Sequence, residues 1–171
     1  MDKMKIGFAG VLSIFLTAGA VSAETSLADV AESDQLRISA FVNTHYAKYV
    51  ENYLKVFIGH FRCNYDFVDD DQFNDLAEDA LKSLSAAVRT LLSQRLRTTQ
   101  LPLSPEQLDY TSTLVALSVI DAYAERYTAE IDSLYEAKTI NCSDLKEENR
   151  ALYNNLPTSF AAISSLSIPA D

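Results

Sequence analysis

Residues Gln72 to Thr98 read QFNDLAEDALKSLSAAVRTLLSQRLRT, and their spacing decides the fold class. Phe73, Leu76, Ala77, Ala80, Leu81, Leu84, Ala87, Val88, Leu91 and Leu92 recur every three or four residues. That is one continuous apolar stripe on a helix and would scatter over both faces of a strand. The charges are sorted by end: Asp69, Asp70, Asp71, Asp75, Glu78 and Asp79 at the start, Arg89, Arg95 and Arg97 at the finish. Both ends complement the helix dipole, each charge contributing roughly 0.3–1 kcal/mol. The stretch predicts an amphipathic helix over 72–98 with one buried face.

Working outward, similar patterns flank it. Upstream, Ile38, Phe41, Val42, Tyr49, Tyr53, Val56 and Phe57 share a broad face, with Thr44, Lys48, Glu51 and Lys55 opposite. A helix from about Leu27 to Ile58 follows, opened by Ser26 and Asp29 at capping-box spacing; Gly59 can end it in a left-handed conformation or be passed through. Downstream, Ser104-Pro105-Glu106-Gln107 combines a serine cap, proline at the first helical position and glutamine three residues after the cap. This start signal predicts a third helix running to about Lys138. Leu108, Val115, Val119, Tyr123, Tyr127 and Ile131 point inward; Ser118, Asp121, Glu125, Asp132 and Glu136 point outward. A short fourth helix is expected over Ser143 to Asn155, limited by Pro157, and 158–171 reads as a tail. Four glycines and four prolines are too few for an all-β domain rich in tight turns. The expected fold is an all-α, antiparallel up-down bundle of three long helices and a short fourth, spanning 24–157.

The link Thr99 to Leu103 is short, so the second and third helices should be antiparallel neighbours. In an up-down bundle the first and third connections then lie at one end. Cys63 falls in the first and Cys142 in the third, and they are the only cysteines. An isolated pair in an oxidising compartment is most simply a disulfide, and the topology brings this pair together independently.

The N-terminus supplies that compartment. Lys3 and Lys5 precede an uncharged stretch from Ile6 to Ala23, and Val21-Ser22-Ala23 ends it with small residues. This is the three-part secretory pattern, with cleavage expected between Ala23 and Glu24 and a signal peptide over 1–23. The stretch is diluted by Gly7, Gly10, Ser13, Thr17, Gly19 and Ser22, whereas a spanning helix needs about 20 strongly apolar residues. No span is expected after cleavage: Leu114 to Ala124 is apolar but short and carries Asp121. The expected location is periplasmic or secreted. Losing Lys3, Lys5 and Asp2 from 14 basic and 24 acidic residues leaves 12 and 23, a formal charge of −11. Such a surface repels nucleic acid and anionic lipid and attracts a basic protein partner.

Candidate chemistry is sparse. His60-Phe61-Arg62-Cys63 with Asp66 and Cys142 has usable zinc-ligand spacing, but an oxidised cysteine pair offers no thiolates. His45 and His60 stand about 22 Å apart along a helix and cannot share a ligand. The run Asp66, Asp69, Asp70, Asp71, Asp75 lacks the sixth-position glycine of a calcium loop and reads better as a helix-capping cluster. No Gly-x-Ser-x-Gly and no glycine-rich phosphate loop occur, so no catalytic residue, metal or cofactor is assigned. The least ordinary feature is nine tyrosines without tryptophan. Tyr46, Tyr49 and Tyr53 lie along one side of the first helix; Tyr123, Tyr127 and Tyr135 recur on the third. A tyrosine suits a protein interface, and it suits a core whose hydroxyls reach the rim. Tyr46, Tyr49 and Tyr53 are therefore the candidate partner contacts. The function expected is that of an exported acidic helical protein acting by protein–protein interaction: a binding partner, inhibitor, immunity-type or secretion accessory protein. A small-molecule or cofactor carrier with a pocket between helices is the alternative.

The exported chain should begin at Glu24. N-terminal sequencing of the exported fraction checks this, and a retained Met1 in a membrane fraction would refute it.

Overall fold

A computed structural model of the chain describes residues 32–99, 104–136 and 141–169. The signal region, the Ala23–Glu24 bond, the Ser26–Asp29 cap, most of the Thr99–Leu103 link, the Tyr135 side chain and Lys138 lie outside the described residues. The described chain forms four helices. The first, α1, is one continuous rod made of an α-helical segment Glu32–Phe41, a π-helical segment Val42–Tyr46 and an α-helical segment Ala47–Cys63. It is followed by α2 (Asp70–Thr99), α3 (Pro105–Glu136) and α4 (Cys142–Ile163). No strand occurs among the described residues, and no helix among them is long and apolar enough to cross a membrane.

The helices alternate in direction, but α1 and α2 are not the closest neighbours. α1 packs along α4 and α3, while α2 packs along α3 and, less extensively, α4. The side chains give the directions. Arg89 of α2 pairs with Asp109 of α3, end against start, so these two are antiparallel neighbours as the short link requires. Cys63 at the end of α1 is bonded to Cys142 at the start of α4, and Tyr49 further back meets Phe160 further on with ring centroids 6.1 Å apart, so α1 and α4 are antiparallel. Arg62 and Asp132 join the ends of α1 and α3 at 2.6 Å, so these run parallel. α1 and α2 face each other across the core, where Tyr53 stacks on Phe73 at 4.1 Å.

The central position of α1 explains its burial. Tyr46, Ala47, Tyr49, Val50, Tyr53, Leu54, Val56, Ile58 and Gly59 are all buried, a wider arc than one amphipathic stripe. The π segment sets how the two halves of α1 line up. On an ideal wheel the buried residues after Tyr46 are rotated by about one residue, roughly 100°, from Ile38, Phe41 and Val42. The Ala47 amide donates to the Val42 carbonyl five residues back, so one turn holds an extra residue and the two stripes realign.

Three helix ends are set by local chemistry. Gly59 is passed through; α1 ends at Asn64, which takes the left-handed conformation (φ 49°, ψ 58°) and donates its amide to the His60 carbonyl at 2.7 Å. Asparagine tolerates this region better than most residues. At α3 the capping box forms as the sequence predicts. The Gln107 amide donates to Ser104 Oγ at 3.2 Å, and the Ser104 amide donates to Gln107 Oε1 at 2.9 Å. Asn141 caps α4 by accepting from the Ser143 and Asp144 amides.

The expected short fourth helix needs correction. α4 runs through Pro157 to Ile163, and Ser164 still donates to the Phe160 carbonyl at 2.9 Å. Proline removes one intrahelical donor. The far side nevertheless holds Phe160 and Ile163 against the core, and that packing outweighs the local break. Ile168, 3% exposed, straps the chain after α4 to the same core.

The disulfide is formed. Cys63 and Cys142 are bonded, with Cα atoms 5.5 Å apart across a sequence separation of 79 residues. Closing such a loop removes about 4.5 kcal/mol of unfolded-chain entropy. Cys63→Ser should lower the unfolding free energy by about 3–4 kcal/mol while native helical circular dichroism persists; urea melts of oxidised protein and variant check this.

Candidate functional site

The tyrosines assigned to a partner surface are core residues. Tyr46, Tyr49 and Tyr53 are 0%, 5% and 4% exposed, so they cannot contact a partner in this fold. They sit on α1, which neighbours cover on several sides, and hydrogen bonds hold the Tyr46 and Tyr49 hydroxyls. Tyr46 Oη lies 2.9 Å from Ser83 Oγ, which itself donates to the Ser164 carbonyl at 3.0 Å. Tyr49 donates to the Leu76 carbonyl at 3.0 Å. Tyr53 stacks on Phe73, and Tyr153 continues the cluster from α4, its hydroxyl accepting from the Asp69 amide and donating to Gln72 Oε1. Burial pushes the Tyr49 hydroxyl far above its ordinary pKa, with Asp79 and Tyr46 adding to the effect. Burial likewise raises Tyr53, with Tyr49 second, and raises Tyr46 against the opposing hydrogen bond from Ser83. A tyrosine core with satisfied hydroxyls is a structural role.

The tyrosines that do reach the surface are on α3. Tyr110 is 48% exposed. Tyr123 and Tyr127 are half-buried and stack with centroids 6.4 Å apart, and the Arg126 guanidinium stands 6.0 Å from the Tyr127 ring. Burial raises the Tyr123 hydroxyl, Tyr127 adds to this and Arg126 opposes it. Along the same helix the Asp121 carboxyl is pushed up, first by partial burial and then by Glu125. The sequence placed Tyr123 and Tyr127 inward, and the structure leaves both at the rim. Their spacing is that of a core stripe, and only the position of α2 beside α3 leaves the stripe's edge uncovered.

In the disulfide half, Arg126 lies over the Tyr127 ring, and four other bases are engaged by carboxylates. Arg62 pairs with Asp132, Lys82 with Glu78 at 2.5 Å, Lys146 with Asp66 at 2.9 Å, and Arg150 with Glu147 at 3.3 Å. Asp69 caps α2 by accepting from the Gln72 amide. By contrast, Asp71, Asp75, Asp79, Asp121, Glu125 and Glu130 appear in no ion pair among the described residues.

The metal-like constellation does not assemble. Both sulfurs are bonded to each other, Asp66 holds Lys146, and His60 Nε2 lies 3.3 Å from Asp70 Oδ1. No group of three His, Cys, Asp or Glu side chains among the described residues is placed to hold an ion. His60 Nδ1 is buried without a hydrogen-bond partner among the described residues. His45 is exposed, its ring 5.0 Å from Phe41. A cleft of about 20 Å³ lies between α1, α2 and α3, lined by Tyr49, Tyr53, Ala77, Leu81, Leu117 and Ile120. That is room for about one water molecule, and His60 does not line it. Comparison of the chain with known protein families, curated proteins and solved structures finds no match.

Tyr49→Phe should cost about 1 kcal/mol at neutral pH, the net worth of a buried hydrogen bond. The raised hydroxyl also sets a pH dependence. Its contribution is fully present below the unfolded value of about 10 and is lost as pH rises above it, because the unfolded chain ionises first. Urea melts between pH 8 and 11 should show a shallower alkaline loss of stability in Tyr49→Phe than in the parent.

Proposed function

We propose that the protein is exported, periplasmic or secreted, and acts by binding another protein, one with a basic surface. The observation that carries this reading is the uncompensated negative charge on the disulfide half of the bundle. There Arg62, Lys82, Lys146 and Arg150 are each held by a carboxylate, whereas among the described residues Asp71, Asp75, Asp121, Glu125 and Glu130 form no ion pair and outnumber Arg126, the exposed base over Tyr127. Fixed charge of one sign on one end of a small domain raises the encounter rate with a complementary partner. It also repels phosphate backbones and anionic lipid. The signal pattern of 1–23 and the Cys63–Cys142 bond both support a life in an oxidising compartment. Binder, inhibitor, immunity-type antidote and secretion accessory all act through such a surface. The carrier alternative draws on the cleft between α1, α2 and α3, whose volume of about 20 Å³ suits a water molecule and not a cofactor.

Affinity capture from native envelope extract, with the immobilised full chain, tests the reading. Basic proteins should be retained at about 0.05 M salt and lost at about 0.5 M, since the screening length shrinks severalfold. With a purified partner, association should slow by an order of magnitude or more over that range. Retention of neutral or acidic partners, indifferent to salt, would overturn it.

A further inference from the structure

α3 differs from the other helices in how its apolar residues are distributed. Ala47–Cys63 and α2 concentrate theirs toward the bundle. α3 buries Leu108, Val115, Ala116, Ile120, Ala124 and Ile131, yet Val119, Tyr123 and Tyr127 of the same stripe are only half-buried, and Ala122 and Ala129 beyond it are exposed. A helix with apolar residues around most of its circumference is expected to have neighbours around most of it. Among the described residues, α3 has α1 and α2.

The register locates what flanks this edge. α2 and α3 are antiparallel, aligned at one level by Arg89 with Asp109 and at another by the cleft where Ala77 and Leu81 meet Leu117 and Ile120. Continued two turns further, that alignment brings Asp75 to the level of Tyr123 and Asp71 to the level of Tyr127. Glu130 follows one turn after Arg126 on the outer side of α3. Asp71, Asp75 and Glu130 are exposed and form no ion pair among the described residues. The Tyr123–Tyr127 strip thus has exposed carboxylates at its own level on α2 and one turn beyond Arg126 on α3. Arg126 set over the Tyr127 ring shows that a cation is accommodated on that ring.

We propose that the edge of α3 formed by Val119, Tyr123 and Tyr127, with the first turns of α2, is a docking face for a basic amphipathic helix of a partner protein. The inference rests on the interaction reading above and adds the surface and the form of its occupant. Apolar side chains of the incoming helix cover the Tyr123–Tyr127 stack, and its lysines and arginines meet Asp71, Asp75 and Glu130. A second copy of this chain is the poorer occupant, because it presents the same acidic surface and like charges repel. A membrane surface is disfavoured by the same sign of charge.

The probe is a synthetic 18-residue peptide of leucine, alanine and lysine patterned as an amphipathic helix, beside an isomer of identical composition with scrambled pattern. Both are titrated into the full mature chain at about 0.05 M salt and followed by amide chemical shifts and fluorescence anisotropy. The amphipathic peptide is expected to bind at least ten-fold more tightly than its isomer and to shift amides of 119–130 and 71–78. Tyr123→Ala should weaken it ten-fold or more. Because Tyr123 also touches the core, Glu130→Lys, at an exposed position without an ion pair, tests the same face without disturbing packing; it should weaken binding several-fold. Shifts confined to α4, or affinities unchanged in both variants, would overturn the docking face while leaving a basic partner in place. Absence of binding by either peptide would overturn both.

Discussion

The bundle depends on α1 being buried on several sides at once. Few helices of this length can be, because a helix rich in tyrosine brings a polar atom into the core with every ring. Here the problem is met residue by residue: Tyr46 reaches Ser83, and Tyr49 reaches the Leu76 carbonyl. A buried hydroxyl without a partner costs about 1–3 kcal/mol, so these contacts decide whether the rings count as core at all. Where they are met, each ring contributes the burial of a large apolar body. The stack of Tyr53 on Phe73 then ties α1 to the helix diagonally opposite, which backbone packing alone does not do.

Much of this was legible before any coordinates. The stripe of α2 is buried nearly as written: Phe73, Leu76, Ala80, Leu84, Ala87, Val88, Leu91 and Leu92 are all core, with Ala77 and Leu81 at its edge. The Ser104–Gln107 box could be read because capping is local chemistry, complete within four residues. The disulfide could be read because connection lengths constrain which loops share an end. What escaped was whatever depends on a second helix. Nothing near Val42 announces a π turn; the turn follows from the need to present both halves of α1 to the same neighbours. Pro157 carries a clear stop signal, and only the packing of Phe160 and Ile163 overrides it. The tyrosines were ambiguous for the same reason. Tyr49 and Tyr123 have equally helical spacing, and the neighbours alone decide that one is interior and the other lies on the rim.

Charge follows a different logic from packing. Core positions are fixed by what touches them, whereas the acidic residues of the disulfide half matter through what they do not touch. Asp66, Asp70 and Asp132 are absorbed into Lys146, His60 and Arg62, and Asp69 into the cap of α2. Of these, the Lys146–Asp66 and Arg62–Asp132 pairs hold the loop end of the bundle together at modest gain, since exposed ion pairs contribute about 0–1 kcal/mol each. Glu78 and Glu147 hold Lys82 and Arg150, whereas Asp71, Asp75, Asp121, Glu125 and Glu130 appear in no ion pair among the described residues. A fold that needed them only for solubility would be served by any arrangement; here they border the one helix whose apolar residues are incompletely covered.

The diagonal placement of α1 and α2 bears on the order in which the chain can assemble. Synthesis runs from the N-terminus, so α1 emerges first, but the helices packed most closely along it are α3 and α4, which emerge last. Its nearest successor, α2, lies across the core and gives it little backbone shelter. Until Cys142 and the residues beyond it are available, the helix that ends up at the centre of the bundle has no complete surroundings. α2 and α3, by contrast, are sequential neighbours and can pair on a short loop. The first of these four helices to be made is therefore the last to be enclosed, and a growing chain of this kind passes through a long interval in which its future centre lacks its neighbours.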